Sequence, residues 1–260
     1  MRKRKESSLN MPNNVILGTV KKGVTTVDFT WELKDYNKQF IPSSTTLVIS
    51  KDTTRRKQTL ENICKTIDED RYLLKINLSS ELQLTAAELN IILTNCKKLI
   101  DLKRGLCKEL SLEQLKTDGC VNLMEKFNEA VVNCQDVVIC IDSYDLMMFE
   151  ENYKSIENIK SLVNYINDWG KDCGVYLLLG MSRLNGNMQN FVIDNIDNII
   201  LLKPYNIDAL LTMINNSVYK IISADNSVEQ FCRANSITID QLSMEPDIAK
   251  NGNTIYVYKS

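Results

Sequence analysis

The chain has 260 residues, an apolar fraction of 44% and a formal net charge of -2 at pH 7, which fits one large α/β core or two small ones. The near balance of 31 basic and 33 acidic residues argues against strong nucleic-acid binding, because it provides no overall attraction for a polyanion. The absence of histidine excludes Ser-His-Asp hydrolysis, histidine zinc sites and histidine general bases.

The first 13 residues are predicted to be a basic polar tail or linker, and residues 14–260 a single domain. No long apolar run and no signal peptide is found, so the sequence predicts a chain that is soluble by itself. The eight cysteines are scattered singly, without a C-x-x-C pair. They are predicted to be small buried hydrophobes in a reducing compartment and not a disulfide or zinc framework.

Strands and helices are predicted to alternate along the chain. Alternating apolar and polar residues at 14–33 indicate two short strands ahead of the main core. The other predicted strands are 45–49, 72–78, 137–141, 175–180, 198–202 and a closing edge strand at 254–258. The predicted helices, which have apolar residues at helical spacing, are 58–67, 85–102, 121–132, 155–169 and 207–222. The alternation predicts an α/β fold with a largely parallel sheet covered by helices on both faces.

The turn after the strand at 45–49 lies where a P-loop would be expected. A P-loop needs glycines around the phosphates, a lysine, and a Ser or Thr for magnesium. In the best register, Lys51 and Arg56 take the glycine positions, Lys57 matches the lysine and Gln58 replaces the hydroxyl. A bulky residue in a left-handed backbone position costs about 1–2 kcal/mol, so we do not expect a conventional triphosphate site. Arg55, Arg56 and Lys57 form either a weak anion site at a helix N-terminus or a solvated basic turn.

The strand at 137–141 delivers Asp142 at its C-terminal end, where a P-loop ATPase places its metal-holding aspartate. The next residue, Ser143, stands where a motor ATPase of this type needs a glutamate. A serine cannot accept a proton at neutral pH. Asp142 is therefore either part of a vestigial nucleotide site or a structural carboxylate at a strand end.

These motifs carry a family resemblance. Residues 138–147 resemble the Walker B segment of FtsK/SpoIIIE-type motor domains, and residues 170–183 are similar to that family's glycine-containing approach to the sensor strand. Ser182 stands at the position of the sensor glutamine, and Arg183 matches the sensor arginine. The pattern most resembles the C-terminal, often degenerate ATPase-like domain of the type VII secretion proteins called EssC or EccC.

The resemblance implies a RecA-like, P-loop NTPase-like fold in a cytoplasmic domain of a cell-membrane protein. It also implies particular partners: preceding FtsK-like domains of the same chain, small helical type VII secretion substrates, and the membrane through an N-terminal part outside this sequence. Nucleic acid is not an expected partner. The apolar run at 146–149 is either a docking surface for helical substrates or ordinary packing of the next helix.

Three functions remain open at this point. The first is a non-hydrolysing domain that recognises secretion substrates or regulates neighbouring motor domains, with no catalytic residue and no metal. The second is an ATP-binding or ATP-hydrolysing motor domain with a non-standard P-loop, in which Lys57, Asp142 and Arg183 bind nucleotide. The third, a DNA translocase, is disfavoured by the charge balance. ATP and magnesium are expected as cofactors only if the vestigial site still binds them.

Overall fold

The computed structural model describes residues 14–22, 24–33, 42–67, 73–77, 85–109, 121–132, 135–142, 153–182, 196–202, 247–251 and 254–259. The predicted helix at 207–222 and the apolar run at 146–149 lie outside these residues, as do Ser143 and Arg183. In the described part of the chain, no helix is long and apolar enough to cross a membrane.

The strands are β1 (Asn14–Lys22), β2 (Thr25–Glu32), β3 (Thr45–Ile49), β4 (Leu73–Asn77), β5 (Asp136–Ile141), β6 (Val175–Met181), β7 (Asn198–Leu201), β8 (Asp247–Asn251) and β9 (Thr254–Lys259). The helices are α1 (Thr53–Thr66), α2 (Ala86–Lys103), α3 (Val121–Val132) and α4 (Tyr153–Cys173). The bounds predicted for α3 are confirmed at both ends, whereas α1 begins five residues earlier than its predicted start at Gln58.

The strands form one sheet in the order β2-β1-β9-β8-β7-β3-β6-β5-β4. The five strands from β7 to β4 run parallel, which confirms the predicted α/β class. The other four strands extend this sheet in antiparallel pairs. The prediction that 254–258 forms a closing edge strand is wrong, because β9 lies between β1 and β8. Among the described strands, β2 and β4 are the edge strands.

Helix α1 packs on one face of the sheet. Its buried residues Leu60, Ile63 and Cys64 belong to a core cluster that also contains Val48 of β3 and Leu178 of β6. Because side chains alternate along a strand, the intervening residues of the same strands face the other side, where they are also buried. Helices α2 and α4 pack against each other, and both contact β6.

Trp31 of β2 and Tyr176 of β6 join the antiparallel extension to the parallel strands. Their rings meet edge to face with centroids 6.0 Å apart, and the Trp31 indole donates a 2.7 Å hydrogen bond to the carbonyl of Ser43. The Tyr176 hydroxyl donates to the carbonyl of Leu33 at 2.7 Å. Burial, followed by the nearby charge of Asp136, raises the pKa of Tyr176 well above its ordinary value, so the phenol stays a neutral donor.

A serine at the start of β3 fixes the end of α4. The Ser44 hydroxyl donates to the Asn167 carbonyl at 3.0 Å and accepts from the Lys171 backbone N–H at 2.6 Å. Gly170 permits this approach, because a Cβ there would lie 2.2 Å from the carbonyl oxygen of Val175 and 3.0 Å from Cβ of Ser44. The first glycine of the predicted sensor-strand motif therefore has a packing role.

Candidate functional site: the closed P-loop position

The turn at the predicted P-loop position is short. Only Ser50, Lys51 and Asp52 separate β3 from α1, and Asp52 caps the helix by accepting a 3.0 Å hydrogen bond from the Arg55 backbone N–H. The Arg56 backbone N–H already bonds to the Asp52 carbonyl at 2.9 Å. The expected left-handed strain at Arg56 is therefore wrong, because an early helix start replaces the wrapped loop and gives Arg56 a helical backbone.

Arg56 points inward and binds Asp142. Its side chain is 1% exposed; Nε lies 2.5 Å from Oδ1 of Asp142, and Nη2 lies 3.3 Å from Oδ2. The third nitrogen, Nη1, donates to the carbonyl of Ser50 at 3.0 Å. Planar guanidinium and carboxylate groups match in such a two-point contact, which fixes both orientations.

This contact changes what the Asp142 carboxylate can do. In an intact P-loop ATPase, the corresponding aspartate holds magnesium together with a hydroxyl at the start of the loop helix. Here both carboxylate oxygens of Asp142 accept from one guanidinium, and Gln58, at the hydroxyl position, is exposed. A buried carboxylate needs a positive partner, and in this chain Arg56 supplies it.

A second arginine, Arg55, also forms an ion pair with an aspartate. Nη2 of Arg55 lies 2.5 Å from Oδ2 of Asp247, whose side chain is 5% exposed. Asp247 is the first residue of β8. Adjacent residues of α1 therefore bind aspartates from two different strands.

Gly180 of β6 leaves room for the Arg56–Asp142 pair. A Cβ at this position would lie 2.4 Å from Oδ1 of Asp142 and 2.7 Å from Cδ1 of Leu60. Real Cβ atoms do not approach other atoms so closely, so both the carboxylate and the leucine would have to move.

We expect Gly180→Ala to lower the free energy of unfolding by about 1–3 kcal/mol, the usual cost of overpacking a core. Urea denaturation measures the loss. In an Asp142→Ala background, the same glycine substitution should cost less, since one of the two clashing groups is gone. Equal costs in both backgrounds would contradict the role assigned to Gly180.

The other predicted site residues that the structure describes are less buried than this pair. Lys51 and Lys57 are exposed, as is Gln58, and Ser182 is partly buried just after β6. The assignment of Lys57, Asp142 and Arg183 as nucleotide-binding residues stays a prediction.

Sequence reasoning missed the inward orientation of Arg56, although the chain carries a signal for it. Arg56 lies four residues before Leu60 and seven before Ile63, so it continues the buried stripe of α1 toward the helix start. Extending the helical periodicity backward through the basic turn would have placed this arginine on the core face.

Comparisons with known proteins add evidence on the fold. No protein-family model matches the chain, and no curated protein matches it significantly. Among solved structures, it is similar to the cytoplasmic domain of the type VII secretion ATPase EccC of Thermomonospora curvata, with 11% identity and a TM-score of 0.57. It is also similar to the pCW3 conjugation coupling protein TcpA in a monomer form with ATPγS, with 10% identity and a TM-score of 0.54.

These alignments cover nearly all of this chain but less of the other proteins. They include 95% of this chain against 28% of the EccC chain, and 96% of this chain against 66% of the TcpA chain. Identities this low carry information on the fold alone. Together with the parallel strands and the position of α1 after β3, they show that the chain has the α/β fold of P-loop ATPases.

Proposed function

We propose that the chain is a non-hydrolysing, FtsK/SpoIIIE-like domain of a type VII secretion ATPase of the EssC or EccC kind. It acts in substrate recognition or in regulation of neighbouring motor domains during protein export. The proposal places it in a cytoplasmic part of a membrane-attached protein. Its partners are the neighbouring FtsK-like domains and small helical secretion substrates.

The observation that carries this proposal is the Arg56–Asp142 pair. Magnesium–nucleotide needs open space next to the Asp142 carboxylate and a hydroxyl at the helix start. This chain puts a buried guanidinium on that carboxylate and an exposed glutamine at the hydroxyl position. The described residues provide neither that space nor a hydroxyl at that position, which supports the proposal. The similarity to EccC supports the secretion setting of the proposal.

We expect calorimetric titration of the chain with ATP and magnesium to give no saturable heat up to millimolar ATP. Phosphate release should stay at background. Lys57→Ala should change neither result, because without bound nucleotide Lys57 contacts no phosphate. Saturable binding that is lost in Lys57→Ala would favour an ATP-binding domain with a non-standard loop. Phosphate release abolished by Asp142→Ala would contradict the non-hydrolysing function.

The recognition part of the proposal needs its own test. A small helical type VII secretion substrate, titrated into the chain, is expected to bind with an affinity that does not change when ATP and magnesium are added. A nucleotide-dependent affinity would contradict a nucleotide-independent recognition role.

A further inference from the structure

Two consecutive arginines in the first turn of α1 bind carboxylates from different parts of the sheet. Arg56 binds Asp142, which follows β5, and Arg55 binds Asp247, which begins β8. Consecutive helical side chains point about 100° apart, so one helical turn can reach two strands on different sides.

Both aspartates lie on the side of the sheet formed by the C-terminal ends of the parallel strands. Asp142 directly follows the last residue of β5. In the antiparallel pair of β7 and β8, Ile248 lies opposite Leu201, the last residue of β7, so Asp247 also lies at the C-terminal end of β7. Each aspartate is 5% exposed.

The two contacts are placed on opposite sides of the strand that leads into α1. In the sheet order, β8 lies two strands from β3 on one side, and β5 lies two strands from it on the other. The first turn of α1 therefore connects the two outer members of a group of five neighbouring strands.

In a working P-loop site, bound magnesium connects the start of the loop helix to the aspartate of the Walker B strand. Here side chains of the protein make that connection. We propose that Arg55 and Arg56 form an internal clasp that holds β8 and β5 on α1 whether or not nucleotide is present. The inference goes beyond the proposed function, because it concerns the conformation of the strand ends around α1 and not the chemistry or the partners.

The test is hydrogen exchange of the whole chain, followed by mass spectrometry, in single arginine variants. Arg55→Gln is expected to raise exchange in peptides covering 247–251 by about tenfold, because the buried Asp247 carboxylate loses its contact with the Arg55 guanidinium. Arg56→Gln is expected to raise exchange in peptides covering 137–142. Lys57→Gln is the matched control, since it removes an exposed positive charge from the same helical turn, and it should leave both segments within about twofold of wild type.

Two results would overturn the clasp. One is a folded Arg55→Gln variant whose exchange at 247–251 stays within about twofold of wild type. The other is added ATP and magnesium strongly protecting these segments in the wild-type chain. If Arg56→Gln fails to fold, hydrogen exchange of Arg55→Gln alone tests the clasp. Arg55 is 26% exposed, so its replacement disturbs the core less. A chain that binds no ATP but shows unchanged exchange in Arg55→Gln would contradict the clasp and leave the proposed function standing.

Discussion

Arg56→Met is expected to lower the free energy of unfolding by about 3–5 kcal/mol, the usual cost of leaving one member of a buried ion pair without its partner. Methionine keeps much of the length and packing of arginine but removes the charge from a side chain that is 1% exposed. Asp142 would then be a buried carboxylate facing a thioether. Urea denaturation followed by circular dichroism measures the change.

The matched control is the double variant Arg56→Met with Asp142→Ala. Removing both charges avoids an unpaired charge, so the double variant should be much more stable than the sum of the two single losses predicts. Alanine is the suitable replacement at position 142, because it removes the carboxylate and leaves no polar side chain facing the methionine. Additive losses would mean that Arg56 and Asp142 do not depend on each other.

Gly170→Ala is expected to destabilise the chain by about 3 kcal/mol, the upper end of the usual range for overpacking. Helix propensity alone predicts the opposite sign, since alanine is favoured over glycine in a helix by about 1 kcal/mol. Packing should prevail, because the added Cβ would lie 2.2 Å from the backbone carbonyl oxygen of Val175. A backbone oxygen cannot rotate away as the end of a side chain can.

Gly105→Ala provides the control for this substitution. Gly105 has a φ of +71°, but a Cβ there would meet no atom within 4 Å. Its replacement should therefore cost only the left-handed backbone strain, about 1–2 kcal/mol. A Gly170→Ala chain that is as stable as wild type in thermal and urea unfolding would show that α4 and β6 can separate easily.

Much of the parallel sheet could be predicted because its strands are rich in apolar residues. A strand buried on both faces is a run of apolar residues, as in 137–141 and 175–180, and the intervening helices carry apolar residues at helical spacing. Such local patterns also placed Asp142 at the end of its strand. Each of these inferences needs only residues that are neighbours in the sequence.

Two of the missed features, strand β8 and the packing of Gly180, depend on residues that are far apart in the sequence. Strand β8 has the sequence Asp-Ile-Ala-Lys-Asn, which carries little apolar signal, and it becomes a strand through pairing with β7 and β9. Gly180 matters because β5 and β6 pair side by side, which brings it to Asp142. The orientation of Arg56, by contrast, follows from local helical spacing, and the P-loop register hides it because it starts the helix at Gln58.

The position of β9 has a consequence for the order of assembly. Val20 of β1 pairs with Tyr258 of β9, so the hairpin of β1 and β2 joins the main sheet through a strand that is synthesised after all the others described here. During synthesis the hairpin of β1 and β2 cannot pair with the main sheet until β9 has been made, and two strands alone are marginally stable in water. A nascent chain without β8 and β9 would present open strand edges on β7 and β1 in addition to those on β2 and β4, and open edges invite pairing with other chains. Pairing of the hairpin of β8 and β9 with β7 and β1 therefore covers the open edges of these two strands together. Truncation before residue 247 is expected to cause aggregation.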